Sequence, residues 1–242
     1  MYQCLNVVCL RTVNYSDDAA ILSAYSRELG RVSFKVPSAS TREGRRRKAL
    51  TMPLGLVECM ADVRPGRDIF AMRDVRPLSL MSPAASGCPV KMSVAVFLAE
   101  TLGVLLRESA PDESMFDFIA ESVDTLSRQQ RGVANFHLMF LYRLSRFLGI
   151  EPDLAGYSPG MVFDMRDGSF RSSPPLHRHY LDAQDTRAVL MLERMTADNL
   201  HLFRLDRHRR NAILDAILSY YSLHLGVRLE ELASPGVLRG IF

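Results

Sequence analysis

Hydrophobic and polar positions alternate in short runs over the first 76 residues, and turn residues separate the runs. Leu5 to Thr12 is the first run, followed by the polar turn Asn14-Tyr15-Ser16-Asp17-Asp18. Ala19 to Ser26 is the second and ends at Glu28-Leu29-Gly30, where Gly30 can supply the positive φ of a hairpin. Arg31 to Val36 alternates most cleanly: Val32, Phe34 and Val36 fall on one face, Arg31, Ser33 and Lys35 on the other. One face is core and the other cationic. A polar stretch, Pro37 to Lys48, then interrupts the strands. Leu50 to Met60 and Asp68 to Val75 resume them around the turn Arg64-Pro65-Gly66-Arg67, and Pro53 and Gly55 place the fourth strand at an edge or bulge. Five short strands in this span predict a small closed barrel, because closure removes exposed edges. A five-stranded OB-fold β-barrel is one solution and an SH3-like barrel the alternative.

After a linker from Pro77 to Pro89 the period becomes helical. Val94, Leu98, Leu102 and Leu105 share one face, and beyond Pro111-Asp112 the positions Phe116, Ile119, Val123 and Leu126 repeat the pattern. Asn135 to Leu148 is apolar nearly all round, which predicts a buried central helix ending at Gly149 and Pro152. Gly156 to Pro175 is irregular, with Phe163 to Phe170 resembling a hairpin around Arg166-Asp167-Gly168. Helices return at Thr186 to Met195, Ala197 to Leu202 and Asp206 to Leu225, with Asp206 as N-cap and Gly226 as the residue beyond the C-cap. A short tail spans Leu232 to Leu238. The fold class is thus α+β, in two domains: a barrel at 1–76, and a mostly α-helical domain at 77–242 with a small irregular, β-hairpin lobe at about 154–182.

Charge sharpens this picture. The whole chain of 242 residues carries +3, but residues 1–76 hold 13 Lys and Arg against 8 Asp and Glu, while 77–150 and 151–242 each sum to −1. The basic character is local and predicts a patch that faces an acidic partner. With 48% hydrophobic residues the chain can bury its core without disulfides or metals. No apolar run approaches the roughly 18 residues of a membrane-spanning helix. The N-terminus does not read as a signal peptide, since no cation precedes its apolar run. Cys4, Cys9, Cys59 and Cys88 form no C-x-x-C pair, and Cys4 and Cys9 fall on opposite faces of a strand, so reduced thiols are expected.

The most informative segment is Thr41-Arg42-Glu43-Gly44-Arg45-Arg46-Arg47-Lys48. It places five cations beside one acid between two predicted strands. Guanidinium forks suit phosphate, and a cation cluster is favoured at a charged backbone through counterion release. Tyr25 could offer a stacking surface, although a core position fits it better. Gly156-Tyr157-Ser158-Pro159-Gly160 matches G-x-S-x-G formally but lacks the strand before and helix after that a nucleophile elbow needs. His177-Arg178-His179, near Asp164 and Asp182, has no standard metal spacing and reads as an exposed loop pair. His137 and His224 sit on predicted helices as packed residues. No catalytic constellation and no resident cofactor is expected.

The order Val8-x-Leu10-Arg11-Thr12, Tyr15-Ser16-Asp17-Asp18 and Tyr25-Ser26-Arg27-Glu28-Leu29-Gly30-Arg31, then the basic segment and Leu54 to Val57, resembles the N-terminal domain of the RecO family of bacterial recombination mediators. Tyr220-Tyr221-Ser222-Leu223-His224-Leu225 and Ser234-Pro235-Gly236-Val237-Leu238 are similar to that family's closing helix and tail. The resemblance implies an OB-fold followed by a helical domain, binding to single- and double-stranded DNA, strand annealing, and contacts with RecR and the single-stranded DNA-binding protein, SSB. Arg11, Arg27, Arg31, Lys35, Arg42, Arg45, Arg46, Arg47 and Lys48 are then the candidate DNA contacts. The family's grip on the acidic, phenylalanine-ending tail of SSB implies an apolar pocket rimmed by cations, for which Arg128, Arg131, Arg143 and Arg146 are the candidates. Many members carry a four-cysteine zinc motif in the segment corresponding to 154–182. This sequence has no cysteine there, so that lobe is expected to hold by side-chain packing without metal. The implied setting is cytoplasmic, at the bacterial nucleoid, with no membrane. A different class remains open: a protein-interaction adaptor whose basic segment contacts an acidic protein.

Overall fold

The computed structural model of the chain describes residues 2–37, 41–64, 66–79 and 87–241. Residues 80–86 of the expected linker and Pro65 of the expected turn lie outside the described residues. The chain divides into two compact units: the residues up to Gln129 together with Ser234–Ile241, and Gln130–Ala233.

In the first unit, β1 (Tyr2–Ser16), β2 (Ala19–Ser26), β3 (Gly30–Pro37), β4 (Leu56–Asp62) and β5 (Ile69–Pro77) close into a barrel in the order β1-β2-β3-β5-β4. β1 pairs with both β2 and β4, and β3 runs parallel to β5. This is the OB-fold arrangement, so the SH3-like alternative falls away. Alternate residues fill the interior, among them Leu5, Val7, Leu22, Val32, Phe34, Val57 and Met72. Cys9 and Cys59 are buried there as free thiols while Cys4 is exposed, as strand parity requires. Burial pushes the Cys59 thiol up to about 12, so it is no nucleophile near neutrality.

Two expectations in this region are corrected. Asn14 to Asp18 is not all turn: β1 runs 15 residues, Arg11 to Ser16 are exposed on it, and only Asp17 and Asp18 turn the chain. Polar residues do not end a strand that pairs along a neighbour at an exposed hairpin. The basic segment, likewise, is not loop, since Arg42–Leu50 forms a helix, α1, so Leu50 belongs to it and β4 begins only at Leu56. Arg and Lys are good helix formers, and the Thr41 hydroxyl accepts the Gly44 N–H at 3.0 Å as N-cap.

Helices α2 (Pro89–Leu105), α3 (Glu113–Arg128) and α7 (Ser234–Ile241) belong to the same unit. The α2–α3 connection lies on the β2–β3 hairpin. There the Arg31 N–H donates to Ser109 O at 3.0 Å, and the Tyr25 hydroxyl donates to Ala110 O and accepts from the Asp112 N–H. Tyr25 is fully buried and offers no stacking surface. The buried Lys91 ammonium closes the C-terminal end of α3 by donating to Ser127 O at 2.7 Å. The expected tail is a helix: α7 packs on α2, with Leu238 buried and the Ser234 N–H donating to Glu100 Oε2 at 2.9 Å.

The second unit is built around α4 (Phe136–Phe147), of whose 12 residues nine are buried. The Tyr221 hydroxyl of α6 (Arg207–Leu225) donates to Leu141 O at 2.6 Å. Asp206 caps α6 and Gly226, at φ 65°, ends it. Ala197 to Leu202 is not a helix beyond a 3-10 turn at Leu200–Leu202, because the Asn199 side chain takes the Thr196 N–H and donates to Arg194 O, competing with helical bonding.

Between α4 and α5 (Arg187–Arg194) stands the lobe, in which β6 (Val162–Asp164) lies between β7 (Ser169–Arg171) and β8 (Tyr180–Leu181). Phe163 and Phe170 meet edge to face at 5.4 Å, and Tyr157 meets Phe170 at 5.0 Å. The fully buried Asp164 carboxylate pairs with Arg171 Nε at 2.8 Å and with His177 Nε2 at 3.3 Å, and accepts the Arg166 N–H at 2.9 Å. His177 is therefore tied into the lobe and is not part of an exposed loop pair. Among the described residues no group of three or more His, Cys, Asp or Glu is placed to hold a metal ion.

His137 on α4 gives this unit a pH dependence. Burial, with Arg210 as the lesser cause, pushes its imidazole down from 6.5 to about 3. A group more basic in the unfolded chain contributes stability that is complete above pH 6.5 and is lost as pH falls toward 3. The loss is about 1.4 kcal/mol per pH unit within that window. Denaturation midpoints followed by circular dichroism should therefore fall less steeply from pH 6.5 to 4 in His137→Phe than in the parent chain. Equal slopes would contradict this account.

Candidate nucleic-acid interface

α1 is pinned to the barrel by one side. Gly44 is buried, and at about 100° per residue the three arginines 42, 45 and 46 fall within roughly 100° of arc on the side away from it, from about 100° to about 200° round the helix. All three are exposed, as is Lys48, while Arg47 is half-buried on the flank. Glu43 in the first turn and Arg47 and Lys48 in the last match the helix dipole, so the cations stabilise the element that displays them.

Strand pairing defines a second cationic surface. Two rows cross the outer side of the barrel in register, Arg11–Ser23–Ser33–Ile69 and Val13–Ile21–Lys35–Ala71. Arg11 and Lys35 are exposed there beside Val13 and Ile69, which are 49% and 45% exposed, and Tyr15 further along β1 is 70% exposed. Cations, hydroxyls and apolar groups interleaved on one sheet face can take phosphates on the first and bases on the others. Val13, Tyr15 and Ile69 escape a search for charge, though extending the alternation of β1 past Leu10 would have found Val13.

Two predicted contacts stand in other surroundings. Arg27, in the β2–β3 turn, pairs with Glu113 Oε2 at 3.2 Å and with Asp117, both on α3. Its hydrogen bond to Glu113 is the leading cause that moves its pKa up. Arg31 shares the outward parity of Lys35, but the α2–α3 connection covers that end of β3 and leaves it half-buried, which lowers its pKa.

The second unit holds an apolar cleft of about 650 Å³, counted out to its open mouth. Phe163, Val189, Leu192, Ile213 and Ile217 line it, and Arg209 and Asp185, which pair with each other, supply its charge. Of the arginines expected at such a pocket, Arg128 closes α3 in the first unit, whereas Arg131, Arg143 and Arg146 belong to the second. Arg143 donates to Met195 O at 2.8 Å and Arg146 is exposed in the last turn of α4. The cleft's own cation, Arg209, was missed because it lies in the first turn of α6, beyond the central helix. Ser158 is exposed with no strand before it, and β6 begins only at Val162, so no nucleophile elbow is formed.

Comparison with known proteins agrees with this architecture. Residues 2–81 match the family described as Recombination protein O N terminal, and residues 89–233 match Recombination protein O C terminal. The chain is 36% identical to the DNA repair protein RecO of Phocaeicola vulgatus and 35% identical to that of Porphyromonas gingivalis, with 97% of each chain covered. It is 25% identical to the DNA repair protein RecO of Christiangramia forsetii, again over 97% of each.

Proposed function

The chain belongs to the RecO family of DNA repair proteins, and on that premise we propose that it is a recombination mediator that binds single- and double-stranded DNA and promotes the annealing of complementary strands. It works in the cytoplasm, at the nucleoid, and helps to load the recombinase together with RecR and SSB. The outward arginine face of α1 is the observation that carries this reading. Three guanidinium groups on one side of a short helix neutralise phosphates on a strand and release its counterions. Two strands bound this way repel each other less and meet at higher local concentration, so annealing accelerates with no covalent chemistry. The test is a titration of labelled single strand at about 50 and 200 mM salt, over which several phosphate contacts predict a steep loss of affinity. Salt-independent affinity, or tight binding of an acidic protein with none of the oligonucleotide, would leave the adaptor reading instead.

The SSB tail is proposed to dock in the apolar cleft of the second unit, its terminal phenylalanine among Leu192, Ile213 and Ile217 and its acidic groups toward Arg209, with Arg143 and Arg146 on the neighbouring α4. Arg209→Ala should then weaken an acidic, phenylalanine-ending peptide about tenfold, the effect of one charge-assisted hydrogen bond. Calorimetric titration measures it, and an undiminished affinity in the folded variant would count against the cleft.

A further inference from the structure

Charge accounts for only part of the barrel's outer side, where packing leaves Tyr15, Val13 and Ile69 uncovered. Register brings two of them onto one surface with two cations. Arg11–Ser23–Ser33–Ile69 and Val13–Ile21–Lys35–Ala71 are adjacent rows across β1, β2, β3 and β5. At about 4.8 Å between strands the rows are roughly 14 Å wide, and Val13 lies about 7 Å beyond Arg11 along β1. Tyr15, two residues further on, is left without a partner on β2 by the register shift between Asn14 and Ser16. A bulge of this kind re-aims a side chain, and Tyr15 stands 70% exposed at the rim of the two rows. Among the described residues its side chain has no hydrogen-bond or ring partner, and neither Arg11 nor Lys35 forms an ion pair. The bordering acids stand outside the rows: Asp17 and Asp18 turn the chain just past Tyr15, and Asp68 precedes Ile69.

That arrangement sorts the parts of a nucleic acid. Phosphates can settle at Arg11 and Lys35, but not beside Tyr15, where Asp17 and Asp18, two and three residues on, repel them. What the Tyr15 end can take is a flat, uncharged aromatic group. We propose that Tyr15, with Val13 and Ile69, forms a platform for unpaired DNA bases and makes the barrel prefer a single strand to a duplex. The platform rests on the DNA-binding reading above and divides that work between two surfaces. The arginine face of α1 neutralises the backbone of either form. The platform acts only on bases that are free to leave the stack, because a duplex keeps its bases inside and shows its phosphates outside. Every base has a π-face, so the preference is for strandedness and not for sequence.

Substitution at Tyr15 separates the platform from charge. The side chain is exposed and unbonded, so Tyr15→Ala should keep the parent fold, read by circular dichroism, and it removes no cation. Its affinity for a thymidine strand of about 20 nucleotides, longer than the site of one OB-fold, should fall about five- to tenfold, the loss of one stacked base. The log-log salt slope should stay the same, because no phosphate contact is lost. Affinity for a duplex of the same length should equal the parent's, as should affinity for a strand of that length whose sugars carry no bases. Tyr15→Phe, which keeps the ring, should bind like the parent. An undiminished single-strand affinity in Tyr15→Ala overturns the platform. So does an equal loss on the duplex or on the baseless strand, which would assign Tyr15 to the backbone. A Phe variant as weak as the Ala variant would assign the hydroxyl instead and overturn it too. If the parent chain binds neither single strand nor duplex at low salt, the DNA-binding reading falls and the platform with it.

Discussion

Reversing three charges on α1, as Arg42→Glu, Arg45→Glu and Arg46→Glu together, is expected to lower affinity for a single-stranded oligonucleotide by about two orders of magnitude at low salt. The slope of log affinity against log salt should flatten by about 2, at about 0.7 for each phosphate of the single strand that is no longer neutralised. The effect should be alike for unrelated sequences, because phosphate contacts position a strand without reading its bases. Geometry ranks the residues: Arg47, about 60° from Gly44 and half-buried, should contribute less than any of the three exposed arginines on the far side. The neutral Gln triple variant, with about half the loss and intact helicity, separates the effect of charge from that of a weakened helix. Fluorescence anisotropy reads both quantities. A folded triple variant that binds like its parent with the same slope would end the case for α1.

Gly30→Ala should be among the most destabilising single substitutions in the first unit, by about 3 kcal/mol or more. Gly30 sits at φ +70°, which a side chain resists, and a Cβ built there would lie 2.4 Å from Ser109 O and 2.5 Å from the Ala110 carbonyl carbon. Both obstacles are backbone, so no rotamer change relieves them. The α2–α3 connection would have to move away and would take with it both hydrogen bonds of the Tyr25 hydroxyl. Urea unfolding followed by circular dichroism measures the midpoint. A midpoint within experimental error of the parent would show that the hairpin and the connection are not in the contact described.

Short-range patterns made most of the fold legible. Alternation in Arg31 to Val36 gave the faces of β3, all-round apolarity marked α4, and Asp206 and Gly226 bracketed α6, since each depends only on residues within one element. The helix of the basic segment was hidden because five cations leave it no apolar stripe, and the period search follows apolar positions. Its sign was chemical: a threonine three residues before the buried glycine whose N–H it caps. The site was legible as charge but not as environment. Nothing near Arg27 announces Glu113 and Asp117, which are 86 and 90 residues away. Parity placed Arg31 on the outward side correctly, yet the segment that covers it comes from Ser109. Arg209 finds Asp185 across 24 residues and a change of element. Tertiary contacts, not local pattern, decide which cations remain available.

The return of α7 to the barrel's unit has a consequence for how the protein is made. Translation delivers the barrel, α2 and α3 first, but the helix that covers α2 follows only after all of 130–233 has been synthesised. A nascent chain thus carries an uncovered apolar stripe on α2 through the whole synthesis of the second unit. Any chain that terminates early within it keeps that stripe exposed, a surface on which chaperones and proteases can sort unfinished copies from finished ones.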